Sequence, residues 1–240
     1  GGGDAYTYRL RIREPRPDYK LRVTPSSINM YAGMTVGINV VAIRQEGFEG
    51  DIELELDDAP EGVVLSGGRI PAGQDKVMAT LTAPRDLRDG SAPVRIVGMA
   101  EINGRELRRS AVAAEDMMQA FLWRHLVPAE KLMLTKVPRK WARPPAYLKT
   151  GEVEIPLSGE SMTVRFRTGG NYRPKNEIEL ELNGAPEGIS IARVTTVAGG
   201  VDVTLMGDPE KLTPGLRGNL IMTAFEKRAI TQKGKQTGKK

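Results

Sequence analysis

The amino-acid sequence predicts an all-β fold of two tandem β-sandwiches, and three observations carry that expectation. One pattern occurs twice, 126 positions apart: residues 52–62 read IELELDDAPEG and residues 178–188 read IELELNGAPEG. The match extends without a gap back to Gly33 and Gly159, laying GMTVGINV over GESMTVRF. Apolar and polar residues alternate with period two in both copies, as strands with one dry face require. Turn-forming Gly, Pro, Asn and Asp punctuate these runs about every 8–15 residues, the spacing of a sandwich of short strands.

Taken in order, residues 1–13 hold one alternating run, Tyr6 to Arg13, interrupted by Pro15 and Pro17. It reads as the terminal strand of a preceding domain or as an added edge strand, because a lone strand needs a partner. The first sandwich is expected over residues 19–113. Its strands centre on Leu21 and Val23, Ile28 and Met30, Val36 to Ala42, Ile52 to Leu56, Val64 and Leu65, Val77 to Leu81, and Val94 to Gly98. Asn103-Gly104 marks a hairpin, since a type I′ turn holds both central residues at positive φ.

Residues 114–130 form an apolar interdomain connector. Met117, Phe121 and His125 recur at helical spacing, whereas Phe121, Trp123 and His125 alternate, so helix and extended chain both remain open. The segment is too apolar for a flexible linker. Met117, Phe121, Trp123 and His125 are therefore expected to pack between the sandwiches, and Trp123→Ala to loosen the interdomain angle. The second sandwich is expected over residues 131–226, with strands at Leu132 to Leu134, Val153 to Leu157, Met162 to Phe166, Ile178 to Leu182, Ile189 to Ile191, Val201 to Leu205 and Leu220 to Phe225. An insertion around residues 138–145 departs from the first copy. No second hairpin motif follows Phe225, so this sandwich is expected to lack a closing strand. Residues 227–240 read as a basic flexible tail.

The bulk composition bounds the function. At 240 residues the chain suits two domains of about 100 residues each. The absence of cysteine excludes disulfides and thiol chemistry. No run of 18 apolar residues occurs in it, so no direct membrane insertion is expected. Six positive charges lie in residues 227–240 against a total of +5, which leaves residues 1–226 at −1. A nearly neutral body lacks the clustered basic footprint of a nucleic-acid binder.

Catalytic material is scarce. His125 is the only histidine, which precludes a multi-histidine metal site. It lies near Ser110 and Asp116 in sequence, but no GxSxG elbow accompanies it. Asp51, Glu53 and Glu55 alternate with Ile52, Leu54 and Leu56, as Glu177, Glu179 and Glu181 do with their neighbours, and this places the acids on a solvated face. Asp57-Asp58 would suit calcium, but the second copy has Asn183-Gly184 there, and turn formation explains both pairs. The pairs Gly67-Gly68, Gly169-Gly170 and Gly199-Gly200 lie outside any phosphate-loop motif. Trp123, Trp141, Tyr147 and Tyr172 are the aromatics that would stack on sugar. The expectation is thus a chain with no catalytic residue, cofactor or metal, hence not an enzyme.

The chain as a whole resembles the immunoglobulin-like regions of large exported proteins from planctomycetes, verrucomicrobia and related bacteria, which often follow a bacterial pre-peptidase C-terminal domain. The residues that carry the likeness are YRLRI at 8–12, VTPSSINMYAG at 23–33, GFEGDIELELDDAPEGV at 47–63 and IPAGQDKV at 70–77. The most specific stretch is AVAAEDMMQAFLWRHLVPAEKL at 111–132. The resemblance implies tandem immunoglobulin-like β-sandwiches, an extracytoplasmic location (periplasmic, cell surface or secreted), and a terminal strand at 8–12 from an upstream pre-peptidase domain. It carries over no catalytic residues. The divergent segment 136–149 departs from the pattern. The function expected on this basis is a noncatalytic structural or interaction module of a larger protein. Its partners would be other domains of the same polypeptide, and a cell-surface protein or glycan. The alternative is a carbohydrate- or cell-wall-binding accessory module of an exported hydrolase.

Overall fold

A computed structural model of the chain describes residues 12–138, 147–148, 152–168 and 177–226. The expected strand of residues 1–13 falls almost wholly outside them. Within the described residues the fold is all-β and multi-sheet, of the β-sandwich type. In the first half, β1 (Asp18–Thr24), β2 (Ser27–Met30), β3 (Thr35–Gln45) and β4 (Ile52–Asp58) precede the short β5 (Val64–Ser66) and β6 (Arg69–Ile70). Then come β7 (Lys76–Thr82), β8 (Gly90–Ile102), β9 (Arg105–Gln119), β10 (Trp123–Pro128) and β11 (Leu132–Lys136). One layer runs β9-β1-β3-β7-β5, with β1 antiparallel to β3 and parallel to β9. The facing strands are β4, paired with β6 and with β8, and β2 against β11. β8 joins them by changing partner along its length, taking β11 at Gly90 to Val94 and β4 from Arg95.

Period-two patterning becomes burial where these layers face each other. Leu21 and Val23 of β1, Ile38 and Val40 of β3, and Ala79 and Leu81 of β7 are buried against Ile52, Leu54, Ile70 and Ile96. Each such aliphatic contributes roughly 1.5–3 kcal/mol relative to exposure. Glu53 and Glu55 point to water between the buried Ile52 and Leu54, as their alternation predicts. Tyr19 and Phe48, stacked with ring centroids 5.4 Å apart, are buried aromatics in a mostly aliphatic core, and Tyr19 brings a polar group with it. Its hydroxyl lies 2.8 Å from both Gly98 O and Leu107 O, and burial pushes its pKa up to about 12, so the shared proton stays in place. Gly98 leaves room for the aliphatic side chains beside it: a Cβ there would stand 2.5 Å from Leu21 Cδ1 and 2.9 Å from Ile52 Cγ2.

The second half comprises β12 (Tyr147–Leu148), β13 (Ser161–Thr168), β14 (Ile178–Asn183), β15 (Ile189–Val197), β16 (Gly200–Gly207) and β17 (Ile221–Glu226). Its sheets are β12-β13-β16-β15 and β14-β17, packed around Val164, Ile178, Val201, Val203 and Leu205. The repeat read in the sequence reappears at the level of register. Leu56 opposite Ile96 corresponds to Leu182 opposite Met222, and Ile38 opposite Ala79 to Val164 opposite Val203. Gly62 and Gly188, the last residues of the two APEG turns, both hold positive φ, at 78° and 96°.

The expected organisation needs three corrections. β11, including Leu132 and Leu134, pairs with β2 and β8 and is buried in the first core, so residues 131–136 do not open the second half. Val153 to Leu157 forms no strand, although Val153 and Ile155 pack on the second core. Residues 114–130 are likewise no connector. They continue β9 and turn back as β10, an antiparallel ribbon with Pro128 opposite Ala114 and Trp123 opposite Gln119.

Candidate functional site

Two features outside the cores bring polar or apolar side chains into unusual settings: the β9–β10 ribbon and the contact between the halves. The ribbon grows from a buried base. Ala113 and Ala114 are buried, Ala129 N–H donates to Ala113 O at 2.7 Å, and Glu115 accepts from Ser26 N–H at 3.0 Å and from the Ser26 hydroxyl. Beyond that base β10 pairs, among the described residues, with β9 alone. Strand alternation puts Met117, Trp123 and His125 on one face and Met118, Asp116 and Arg124 on the other. Asp116 and Arg124 form an ion pair across that second face, at 3.0 Å. The apex is Ala120, Phe121 and Leu122, closed by Leu122 N–H donating to Gln119 O at 3.1 Å.

Met117, Phe121, Trp123 and His125, expected between the sandwiches, are all exposed, with Phe121 at 96% and Trp123 at 65%. The expectation followed from apolarity alone, which says that a side chain seeks cover and not where the cover lies. The turn itself was not legible either. Ala120 and Phe121 hold positive φ, 50° and 59°, the signature of a type I′ turn, without the Asn or Gly that announces one.

The contact between the halves is polar and is centred on Asn219, just before β17. Its side-chain amide donates to Gly67 O at 2.7 Å and to Met78 O at 2.8 Å, so both amide protons are engaged. Gly67 permits this approach: a Cβ there would lie 2.3 Å from the Asn219 amide nitrogen. Gly184, at φ 66°, approaches Met78 less closely, where a Cβ would sit 3.0 Å from Met78 Cβ. Gln74 adds a third contact, donating from Nε2 to Arg217 O at 3.2 Å. The loop that carries Gln74 is held by the buried Arg44 guanidinium, which donates to Gln74 O, Pro71 O and Gly50 O. Charge follows the same boundary. Asp51 is kept below the usual carboxylate range first by Ala72 N–H, then by Arg69, with Arg217 adding to the effect. A lone Asn in a loop has no sequence signature, so nothing in the pattern singled this residue out.

The remaining candidates are dispersed. Asp116 and His125 lie on opposite faces of the ribbon, and Ser110 is about 23 Å of strand from the rung of His125. Asp57 and Asp58 lie against Arg95, at 2.9 and 3.9 Å. The acids of β4 and β14 line the solvated face. A shallow depression of about 380 Å³ beside the Asn103-Gly104 turn gathers Glu53, Glu101 and Glu106. No group of three or more His, Cys, Asp or Glu among the described residues could hold a metal ion. Of the aromatics considered for sugar stacking, only Trp123 has a described side chain. Trp141 and Tyr172 lie outside the described residues, as does Gly169-Gly170. Neither a protein-family model nor a curated protein sequence matches the chain.

Proposed function

We propose that the chain is a noncatalytic structural and interaction module of a larger extracytoplasmic protein, built of two immunoglobulin-like β-sandwiches held in a fixed mutual orientation. The observation that carries this reading is the Asn219 clasp. A tethered pair of independent domains has no need of a side chain that fits into a glycine-lined site on its neighbour and engages both of its donors there. Interfaces between domains of one chain are commonly small and mobile by default. Three backbone acceptors met across this one, at Gly67, Met78 and Arg217, favour a rigid spacer. The location and the wider partnership with other domains rest on the sequence resemblance.

The test compares wild type with Asn219→Ala by nitrogen-15 relaxation and small-angle scattering. The wild type is expected to tumble with one correlation time for both halves. The variant should show two correlation times and a broader scattering profile, with both cores intact. Trp123→Ala, remote from the clasp, should change neither. Independent tumbling of the halves in the wild type would refute the spacer, and turnover of ester, peptide or glycoside substrates would refute the noncatalytic assignment.

A further inference from the structure

The β9–β10 ribbon combines three properties that a structural role leaves unexplained. Its apex is backbone-strained. Its apex is apolar, large apolar side chains project from both faces beside polar ones, and beyond its base β10 pairs, among the described residues, with β9 alone. The strain is plainest beside the other hairpin on the same strand. β8 and β9 are joined by Asn103-Gly104 at φ 53° and 72°, residues that accept the left-handed region readily. β9 and β10 are joined through Ala120 and Phe121 in that same region, where a β-carbon is disfavoured and a bulky residue is an outlier. A turn with Asn-Gly at its apex would close the ribbon with less strain. What Ala120-Phe121 adds is a phenyl ring at the outermost point, 96% exposed.

Behind it, large apolar side chains project from both faces of the tip. Leu122 is 74% exposed at the apex, Met117 and Trp123 project from one face at 55% and 65%, and Met118 from the other at 56%. A partner with a single groove covers one face of a ribbon and leaves the other wet. Self-association through the tip is disfavoured by size, since a stable interface takes about 20–30 residues a side. A bilayer surface encloses a tip from all sides and has no minimum footprint. Polar groups share the rungs behind the apex, Gln119 opposite Trp123, Arg124 opposite Met118 and His125 opposite Met117, and Trp123 sits at that border, as aromatics do at membrane interfaces. No helix among the described residues is long and apolar enough to cross a membrane. The sequence expectation of no direct membrane insertion rested on the lack of an apolar run, which a hairpin tip does not require.

The geometry points to a lipid-docking hairpin: Phe121, Leu122 and Trp123 enter the interfacial layer of a bilayer while the Asp116–Arg124 pair remains at its surface. Glu115, Asp116 and Arg124 give the ribbon a formal charge of −1, so attraction to anionic headgroups plays no part. The docked surface is that of a neutral, zwitterionic lipid.

The full chain should be tested on phosphatidylcholine vesicles, in a Trp141→Phe background that leaves Trp123 as the sole indole. Co-sedimentation is expected, with a blue shift of Trp123 emission and quenching by lipids brominated near the headgroup. The turn transplant Ala120→Asn/Phe121→Gly should lower the partition coefficient about tenfold or more, the loss of one large apolar contact, while leaving the melting temperature equal or higher. Ala120→Gly alone should raise the melting temperature and keep the binding, which separates turn strain from lipid contact. Three results would overturn the proposal: no binding to neutral vesicles; binding to anionic vesicles only, unchanged by the transplant, which would assign adsorption to the six basic residues of 227–240; or a dimer in sedimentation analysis that the transplant dissociates.

Discussion

The two halves share one strand pattern and differ in how it is finished. In the first, β1 lies between β3 and β9, β11 joins β2 to β8, and Tyr19 ties its own strand to β8 and to β9. Among the described residues the second half retains the repeated strands, β13 with β16 and β15, and β14 with β17, around a core of fewer fully buried side chains. The shared register shows that the duplicated segment specifies paired strands and their turns. The difference shows that closure comes from residues outside the repeat. Gly98 illustrates this: it makes space for Leu21 of β1, a strand outside the repeat, while Ala224 occupies the matching register position in the second half.

The largest effects should come from matched core truncations. Leu81 and Leu205 occupy corresponding rungs, opposite Val36 and Met162, and both are fully buried. Leu81→Ala and Leu205→Ala should each cost about 2–5 kcal/mol, confined to the half that carries the change. Amide exchange read strand by strand is the measurement. A Leu205→Ala variant that loosened β3 and β7 as much as β13 and β16 would break the comparison, because the halves would then unfold as one unit.

A smaller effect separates the halves at the Gly98 position. Gly98→Ala drives a methyl to 2.5 Å from Leu21 Cδ1 and 2.9 Å from Ile52 Cγ2, and overpacking of this kind costs roughly 1–3 kcal/mol. Ala224→Gly meets no such crowding and should cost about 0.5–1 kcal/mol, from backbone entropy alone. Denaturant midpoints of the two variants give the ordering, and equal losses would mean that close packing of Leu21 and Ile52 on Gly98 does not set the first half apart.

What could be read from the chain beforehand followed locality. Ile52 and Leu54 inside with Glu53 and Glu55 outside needed only the two-residue period. The positive φ of Gly62, Gly188, Asn103 and Gly104 needed only turn chemistry. The placement of β11 was misread because Leu132 to Leu134 carries a strand pattern that says nothing of its partner, and sequence adjacency favoured the wrong half. The ribbon tip was misplaced for a related reason: an apolar tract implies cover, and the pattern cannot distinguish a core from a surface reserved for something else. Asn219 and Gly67 come together across 152 positions, so no local signal could have joined them.

The smallest expected effect tests how each half uses its ion pairs. In the first half Asp18 of β1 accepts from Arg109 Nε at 3.0 Å and Nη2 at 2.8 Å on β9, a pair that spans two strands. In the second, Asp202 accepts two bonds of 2.6 Å from Arg165, its direct cross-strand partner in an existing ladder. The arginine hydrogen bond is the leading cause that holds each carboxyl below its ordinary value of 3.8. A carboxyl depressed in the folded state contributes stability that is complete above its ordinary pKa and is lost as pH falls through the folded one. With both side chains of the Asp18–Arg109 pair about a third exposed, solvent screening keeps that contribution below about 1 kcal/mol. Asp18→Asn should therefore lower protection of the β1 and β9 amides near neutral pH, and the gap to wild type should close as the pH drops below 3.8. Asp202→Asn should leave β1 and β9 unchanged throughout. A gap for Asp18→Asn that persisted unchanged into acid would identify packing, and not the ion pair, as what holds β1 against β9.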